Sequence, residues 1–415
     1  GGHFMDPFIK WWMTPKLPKE HIFIPADKKP AAFFEMVRVY TRKWFIHPIK
    51  RRIAKNHLTL LKRFGHIEVV AITGSAGKTS TKDMLHSILG RITPTVASIA
   101  NIDPVYNIPT TILRCGLKTK YLILEMGVEY PGEMDYYLWL ASPDIGVITN
   151  VYPTHTLFFK DVAGVGKEKG KLVRSLSSGK TAVLNSDNQA LKKIASDLDA
   201  KIVWFGKDAP VSARGIGVTR DLKSEFVLKI GENEVNIRLP ILGKQFVQNS
   251  LAAAAVAHAL GVKITDIKKG LEDFSPQEHR MQIKKLRSGA ILIDDSYNSN
   301  PQALSEALLT LKDVSEGRVA VAVLGDMLEL GVNEEDFHRK VAKDILDLKI
   351  DYFIGVGPLM KIAVNEAGKK MGKRAIWVES PDKVSDKLKP IINSKTVLLV
   401  KGSRSVGLDK IVPVL

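Results

Sequence analysis

Cysteine is nearly absent from this chain. One residue, Cys115, occurs in 415 positions, which excludes an intramolecular disulfide and an all-cysteine zinc site. That scarcity fits a reducing compartment, the cytoplasm. No apolar run approaches the roughly 20 residues that a membrane-spanning helix needs. No secretory leader is visible, and Gly1 to Phe4, ahead of Met5, read as a foreign tag and are set aside. Acidic residues are scarce at one end only. Residues 1–66 hold fourteen Lys and Arg against four Asp and Glu, within a chain of net charge +17. Such asymmetry implies an anionic partner: a membrane surface, a nucleic acid or a polyphosphate. No aromatic-interleaved recognition motif accompanies the charge, so nucleic acid is not expected.

What is present is an ordinary globular composition, 45% hydrophobic, in a chain long enough for two or three domains. Residues 5–66 read as a basic, aromatic, mainly helical segment. "AAFFEMVRVYTRKWFIHPIKRRIAKNHLTLLKRFG" forms two helical runs broken near Pro48, with Ile49, Ile53, Leu60, Leu61 and Phe64 sharing a face. From residue 67 apolar strands recur with helical stretches between several of them: "EVVAIT", "YLILEM", "DIGVITN", "TAVLNSD", "KIVWFG". This is the grammar of a parallel α/β sheet. "SEFVLKIGENEVNIRL" reads as a β-hairpin, and "NSLAAAAVAHALG" as a helix stopped by Gly261. A second α/β block follows, with strands "AILIDD", "VAVAVLGD", "YFIGVG", "AIWVES" and "TVLLVKG". The boundary falls near Pro276, giving a central domain over 67–276 and a C-terminal one over 277–415.

The chemistry concentrates after "VVAIT". The standard phosphate loop, G-x-x-x-x-G-K-[ST], needs a glycine at 72, where this chain has Ile72. A shorter loop stands there: Gly74, Ser75, Ala76, Gly77, Lys78, Thr79, then Ser80. It follows a strand and opens a helix, so backbone N–H groups and the helix dipole face it. Lys78 suits β/γ-phosphates and Thr79 suits Mg²⁺. Taken alone, the loop reads equally as a glycine turn with an incidental lysine. Glu125 ends "YLILE" at the sheet edge where ligands bind, as a hard oxygen ligand or a solvated strand-end carboxylate. His155 leaves the same edge after "DIGVITN" and is a candidate metal ligand. Lys169, in "GKEKGKLV", would ordinarily be a solvated helix face.

Read in order, these segments resemble the Mur ligase family, which forms amide bonds with ATP. "TGSAGKTSTK" is similar to the family's own short loop. "EMG", "TNVYPTH" and "KEKGKL" are similar to its magnesium and lysine segments, and "LGKQFVQNSLAAAAVA" to its Asn-containing helix. "DDSYNSNP", "LGDMLELG" and "VKGSRS" resemble the MurF-type branch, which adds D-alanyl-D-alanine to a UDP-muramoyl-tripeptide. The resemblance implies a P-loop-type central ATPase domain and a Rossmann-like C-terminal domain. It implies ATP held by residues 74–80 and by Asn249, Arg280, Asp295, Tyr297 and Asn298. Two Mg²⁺ ions would be held, one by Thr79 and Glu125, the other by His155 and Lys169, the latter as a carbamylated lysine. Lys78, His155, Lys169 and Arg280 would be catalytic, and Asn300, Lys401, Ser403 and Arg404 would face the amine substrate.

Three departures stand out. About sixty basic and aromatic residues occupy the place of the family's UDP-binding domain, and are too few to form it. Asp103 and Pro104 replace paired asparagines, and Gln245 replaces a histidine. UDP-linked recognition is therefore open. The acceptor would be a UDP-linked, lipid-linked or pseudomurein peptide. A folylpolyglutamate-synthase-like ligase and a non-catalytic nucleotide-binding subunit are the weaker alternatives. The expected partners are a muropeptide, an amino acid or dipeptide, and an anionic membrane surface met through residues 5–66. The expected location is the cytoplasm, peripheral to the inner face of the membrane.

Overall fold

The computed structural model describes residues 11–12, 14–24, 30, 32–99, 102–152, 159, 162–328, 330 and 333–414. Among them no strand precedes Glu68. The chain opens with a single turn, α1 (Lys19–Ile22), then α2 (Phe33–Thr41), a π-helical turn (Arg42–Ile46) and α3 (His47–Phe64).

The expected break at Pro48 does not occur. Helix runs unbroken from Phe33 to Phe64, and the irregularity is the π turn ahead of the proline. Pro48 has no N–H to give the Trp44 carbonyl four residues back. That carbonyl instead accepts the indole Nε1–H of Trp12 at 3.0 Å, so the helix passes the proline with its polar groups satisfied. The expected common face also divides. Leu61 is buried with Ala54 and Leu58 in the core cluster, whereas Ile49, Ile53, Leu60 and Phe64 are exposed on the opposite side. A fully buried Leu contributes roughly 1.5–3 kcal/mol, enough to hold α3 against the domain. Arg51 is buried, with its guanidinium donating to the carbonyls of Trp12 and Thr14.

The first sheet has nine strands: β1 (Glu68–Thr73), β2 (Thr95–Ala97), β3 (Tyr121–Glu125), β4 (Ile145–Ile148), β5 (Thr181–Asn185), β6 (Lys201–Phe205), β7 (Val211–Val218), β8 (Ser224–Ile230) and β9 (Asn233–Leu239). Their order is β2-β3-β1-β4-β5-β6-β7-β8-β9. Pairing is parallel from β2 through β6. The crossovers include α4 (Lys78–Leu89), α5 (Pro104–Leu113), α6 (Glu133–Leu140), α7 (Val162–Arg174) and α8 (Gln189–Ala195). Strands covered on both faces must be apolar throughout, and β1 and β4 are buried along nearly their whole length. Order reverses between β1 and β4, the chain winding one way to β2 and β3 and the other way to β5. Such a switch point opens a crevice at the strands' carboxyl ends. Helices α9 (Lys244–Ala259) and α10 (Ile264–Glu272) follow.

The second sheet runs β10-β11-β15-β12-β13-β14. Its strands are β10 (Gln282–Lys285), β11 (Ile291–Asp295), β12 (Val319–Gly325), β13 (Tyr352–Val356), β14 (Ala375–Val378) and β15 (Thr396–Lys401). Only β10 pairs antiparallel; the others are parallel. Its long helices are α11 (Pro301–Val314), α12 (Glu334–Asp347) and α13 (Met360–Met371). By density of packing the chain separates into two compact units. One is residues 1–214 with 228–235 and 249–271; the other is 215–227 with 236–248 and 272–415.

Candidate active site

In the first unit the Gly-rich loop lies at the switch point, between the end of β1 and the start of α4. Two glycines shape it. Gly74 has φ +151° and Gly77 has φ +79°, conformations that L side chains rarely adopt. Each is also walled in. A Cβ on Gly74 would stand 1.9 Å from Thr149 Oγ1, and one on Gly77 would stand 2.2 Å from Asn249 Oδ1.

The segment after β4 clamps the loop from its other side. Thr149 Oγ1 donates to the Ala76 carbonyl at 2.6 Å. Asn150 Oδ1 accepts the Ala76 N–H at 2.8 Å, and its backbone carbonyl accepts the Ser75 N–H at 3.1 Å. Ser75 Oγ donates to the Tyr152 carbonyl and accepts the Tyr152 N–H. The loop is thus pinned by the segment after β4, with Gly77 as N-cap of α4. Lys78 Nζ donates to the Gly74 carbonyl at 2.9 Å, arching over the loop. Thr79 Oγ1 donates to Glu125 Oε1 at 3.1 Å, so the hydroxyl and carboxylate form one oxygen pair. Ser80 lies in the first turn of α4. Asn249 is buried against the Gly77 turn.

Lys169 is not a solvated helix residue. It is buried, and among the described residues no carboxylate lies within ion-pair distance of its Nζ. Burial, with the nearby Lys78 charge, pushes its pKa down to about 7, while Glu133 and Glu168 oppose the shift. Both glutamates are fixed by backbone donors: Glu133 Oε2 accepts the N–H groups of Glu129 and Tyr130, and Glu168 Oε1 those of Gly132 and Met134. Glu133 Oε1 also pairs with His21 Nε2 at 2.5 Å, and Asp103 lies 3.6 Å from His21 Nδ1. Burial alone would depress His21, but the hydrogen bond to Glu133 and the two carboxylate charges raise it. Asp103, one of the sequence departures, caps α5 by accepting the Val105 N–H. His155 lies outside the described residues. Among the described residues no group of three or more His, Cys, Asp or Glu side chains is placed to hold a metal.

In the second unit the carboxyl ends of β11 and β15 are neighbours, with Asp295 paired in register with Lys401. Expected at separate substrates, these two are joined: Lys401 Nζ donates to Asp295 Oδ2 at 2.6 Å and to the Asn298 carbonyl at 2.9 Å. Lys401 is buried. Burial raises the Asp295 pKa, with the Lys401 ammonium opposing it. Tyr297 lies under two guanidiniums, 4.7 Å from Arg280 and 5.3 Å from Arg404. Arg280 is held between two residues of positive φ, His279 (+58°) and Met281 (+50°), backbone strain of the kind that accumulates at functional positions. Asn300 is occupied as the N-cap of α11, accepting the Ala303 N–H. Ser403 is buried and links two strand ends, accepting the Leu328 N–H on Oγ and donating its own N–H to the Asp326 carbonyl.

Sequence reasoning passed over Thr149, Asn150, Tyr152, Glu133, Glu168 and His21. A signal existed for the first two, since "TN" follows an apolar strand at the edge that carries the loop.

Comparison with known proteins agrees with this geometry. Residues 72–257 match the Mur ligase middle domain, and residues 279–404 match the glutamate ligase domain of Mur ligases. A UDP-N-acetylmuramoyl-tripeptide–D-alanyl-D-alanine ligase from Buchnera aphidicola subsp. Baizongia pistaciae is 33% identical over 348 residues, 83% of this chain and 74% of that protein. The Escherichia coli K12 protein of the same name is 32% identical over 352 residues, 83% of this chain and 76% of that one. The crystal structure of MurF from Acinetobacter baumannii superposes with a TM-score of 0.81 at 26% identity, covering 89% of this chain and 80% of its own. The chain belongs to the Mur ligase family, on its MurF branch, and is an ATP-dependent carbon–nitrogen ligase of cell-wall precursor synthesis.

Proposed function

We propose that this chain joins an amine of the D-alanyl-D-alanine kind to the free carboxylate of a muropeptide, converting ATP to ADP and phosphate. The observation that carries the reading is the loop of residues 74–79, clamped by Thr149 and Asn150 and packed against Asn249, beside the Thr79–Glu125 pair. The names of the relatives supply the substrate class.

A carboxylate acylates amines poorly. Transfer of the γ-phosphoryl group to a carboxylate oxygen makes an acyl phosphate, whose phosphate leaves easily. The amine nitrogen then attacks the acyl carbon, and the tetrahedral oxyanion collapses to amide and phosphate. Backbone N–H groups of the loop and Lys78 meet the negative charge that spreads over the phosphoryl oxygens. By the family resemblance, Arg280 would contribute its guanidinium to the same charge. Tyr297 and Asn298, with the Asp295–Lys401 pair beneath them, would line the nucleotide's sugar, and Arg404 would meet the amine substrate. Asn249, packed against the Gly77 turn, would approach the adenine.

Thr79 and Glu125 fit one Mg²⁺, which usually takes one or two protein oxygens and completes its shell with phosphates and water. His155 and Lys169, the latter as a carbamate, would hold a second ion; when bound, the ions neutralise charge on the transferring phosphoryl group. Lys169 suits carbamylation because it is a buried amine with a lowered pKa and, among the described residues, no carboxylate in contact. The basic segment over residues 5–66 would rest on the inner, cytoplasmic face of an anionic membrane, near a lipid-linked acceptor. The test is product mass. The protein is incubated with ATP, Mg²⁺, D-alanyl-D-alanine and either a UDP-linked or a lipid-linked muramoyl-tripeptide. Condensed product with stoichiometric ADP supports the reading; ADP without condensation against any muropeptide removes it.

A further inference from the structure

Helix 33–64 is amphipathic twice over. Its inner face, Ala54, Leu58 and Leu61 with His47 and Arg51, is buried on the domain. Its outer face carries a second apolar stripe at Ile46, Ile49, Ile53, Leu60 and Phe64, every one of them exposed. Spacings of three, four and seven residues place these side chains along one line of the helix. Exposed apolar surface extends beyond the docked part. No residue from Phe33 to Ile46 is buried, and Phe33, Phe34, Val37 and Phe45 add to the exposed apolar surface, with Phe34 86% accessible. A continuous helix of this span reaches roughly 48 Å at 1.5 Å per residue. Apolar surface of such extent, left in water, marks an interaction site.

The charges indicate what covers it. Between residues 33 and 64 the only acidic side chain is Glu35, against nine Lys and Arg. Several of the nine are already engaged: Arg51 in the buried face, Lys55 over the Trp139 ring at 4.1 Å, Lys62 on Asp144 at 2.9 Å. Arg38, Arg42 and Arg63 are exposed beside the stripe. A protein partner with a matching face would need acidic complements to the arginines and its own apolar ridge. An anionic bilayer offers both at once, acyl chains for the stripe and headgroups for the rim. The aromatics of the earlier segment are otherwise occupied: Trp12 Nε1 bonds the Trp44 carbonyl, Trp44 Nε1 bonds the Ile22 carbonyl, and Arg52 lies 4.2 Å over Trp11.

We infer that helix 33–64 lies in the plane of an anionic phospholipid surface, its outer stripe from Ile46 to Phe64 turned into the acyl boundary and Arg38, Arg42 and Arg63 among the headgroups, while its inner face stays docked on the ligase. This rests on the proposal that the basic segment meets a membrane, and it specifies the contact.

The test uses the full chain and vesicles of phosphatidylcholine, with and without phosphatidylglycerol, in co-sedimentation. Ile49→Ser/Ile53→Ser/Leu60→Ser alters only exposed positions, and an unchanged melting temperature verifies the fold. The parent binds the phosphatidylglycerol vesicles, and the triple variant binds them at least about tenfold less well, equal to about 1.4 kcal/mol. Arg38→Gln/Arg42→Gln/Arg63→Gln weakens binding to the acidic vesicles, and salt weakens it in the parent. If the parent binds neither vesicle, the membrane reading falls and this assignment with it. If parent and Ser variant bind acidic vesicles equally, the membrane reading stands and the assignment to this stripe falls. A lipid-free parent dimer that the Ser variant abolishes, without vesicle binding, makes the stripe an interface between copies and overturns the inference.

Discussion

Substituting Gly74 by alanine should injure the nucleotide loop by an amount the geometry defines. The new methyl would stand 1.9 Å from Thr149 Oγ1, with Thr149 Cβ at 3.2 Å and the Asn150 nitrogen at 3.3 Å. Thr149 must therefore leave, and its hydrogen bond to the Ala76 carbonyl, 2.6 Å long, goes with it. Loss of that bond costs about 1 kcal/mol. Holding a non-glycine residue at φ +151° costs about 1–3 kcal/mol more. The sum is roughly 2–4 kcal/mol. If the loop keeps its shape, the strain appears as lost stability in urea unfolding; if it relaxes, it appears as weaker ADP binding in calorimetry. The two losses together should reach that sum. Thr149→Ala removes the hydroxyl that the methyl strikes, so the double variant should be less damaged than the two single losses combined, by about 1 kcal/mol. Gly74→Ala with stability and ADP affinity both within about 0.5 kcal/mol of the parent, or strictly additive effects with Thr149→Ala, would refute the clamp.

Lys401→Met leaves Asp295, largely buried, without its ammonium, and should cost about 3–5 kcal/mol in urea unfolding; Lys401→Met/Asp295→Asn should recover much of it. His47 is buried and its pKa is pushed down to about 4, chiefly by burial, while its bond to the Val105 carbonyl pulls the other way. A depressed pKa gives stability that is present above the unfolded value of 6.5 and lost as pH falls toward 4. The parent should lose about 3 kcal/mol over that window relative to His47→Gln, read as faster hydrogen exchange in α3. Lys78→Ala and Thr79→Ala should each lower kcat/KM by about a hundredfold or more, measured as ADP release coupled to product. With ¹³C-bicarbonate, the parent should show a carbamate carbon resonance that Lys169→Arg lacks, and a parent spectrum without it would count against carbamylation.

Much of this architecture could be read from the chain. Strand–loop–helix grammar around Val69 to Leu85 located the loop, because buried parallel strands are apolar throughout, and the segments that follow it in order separated it from a glycine turn with an incidental lysine. What escaped was carried by pairings far apart in sequence. Asp295 and Lys401 meet because β11 and β15 are adjacent and parallel, and nothing local in "DDSYNSNP" or "VKGSRS" announces that register. Thr149 and Asn150 act on the loop through hydroxyl, amide and carbonyl atoms, and hydrogen-bond geometry leaves no periodicity to detect. Pro48 was misjudged because the residue that rescues the Trp44 carbonyl, Trp12, lies 32 positions away. Leu61 was misplaced because a helix with two apolar faces looks, in one dimension, like a helix with one broad face.

The central claim is that ATP activates a carboxylate by phosphoryl transfer, and isotope transfer tests it most directly. A muramoyl-tripeptide whose terminal carboxylate carries ¹⁸O at both oxygens is incubated with the protein, ATP, Mg²⁺ and D-alanyl-D-alanine, and the released phosphate is analysed by mass. Phosphoryl transfer to that carboxylate predicts one ¹⁸O atom in each phosphate released and the other retained in the new amide carbonyl. Unlabelled phosphate accompanying labelled amide product would contradict the account.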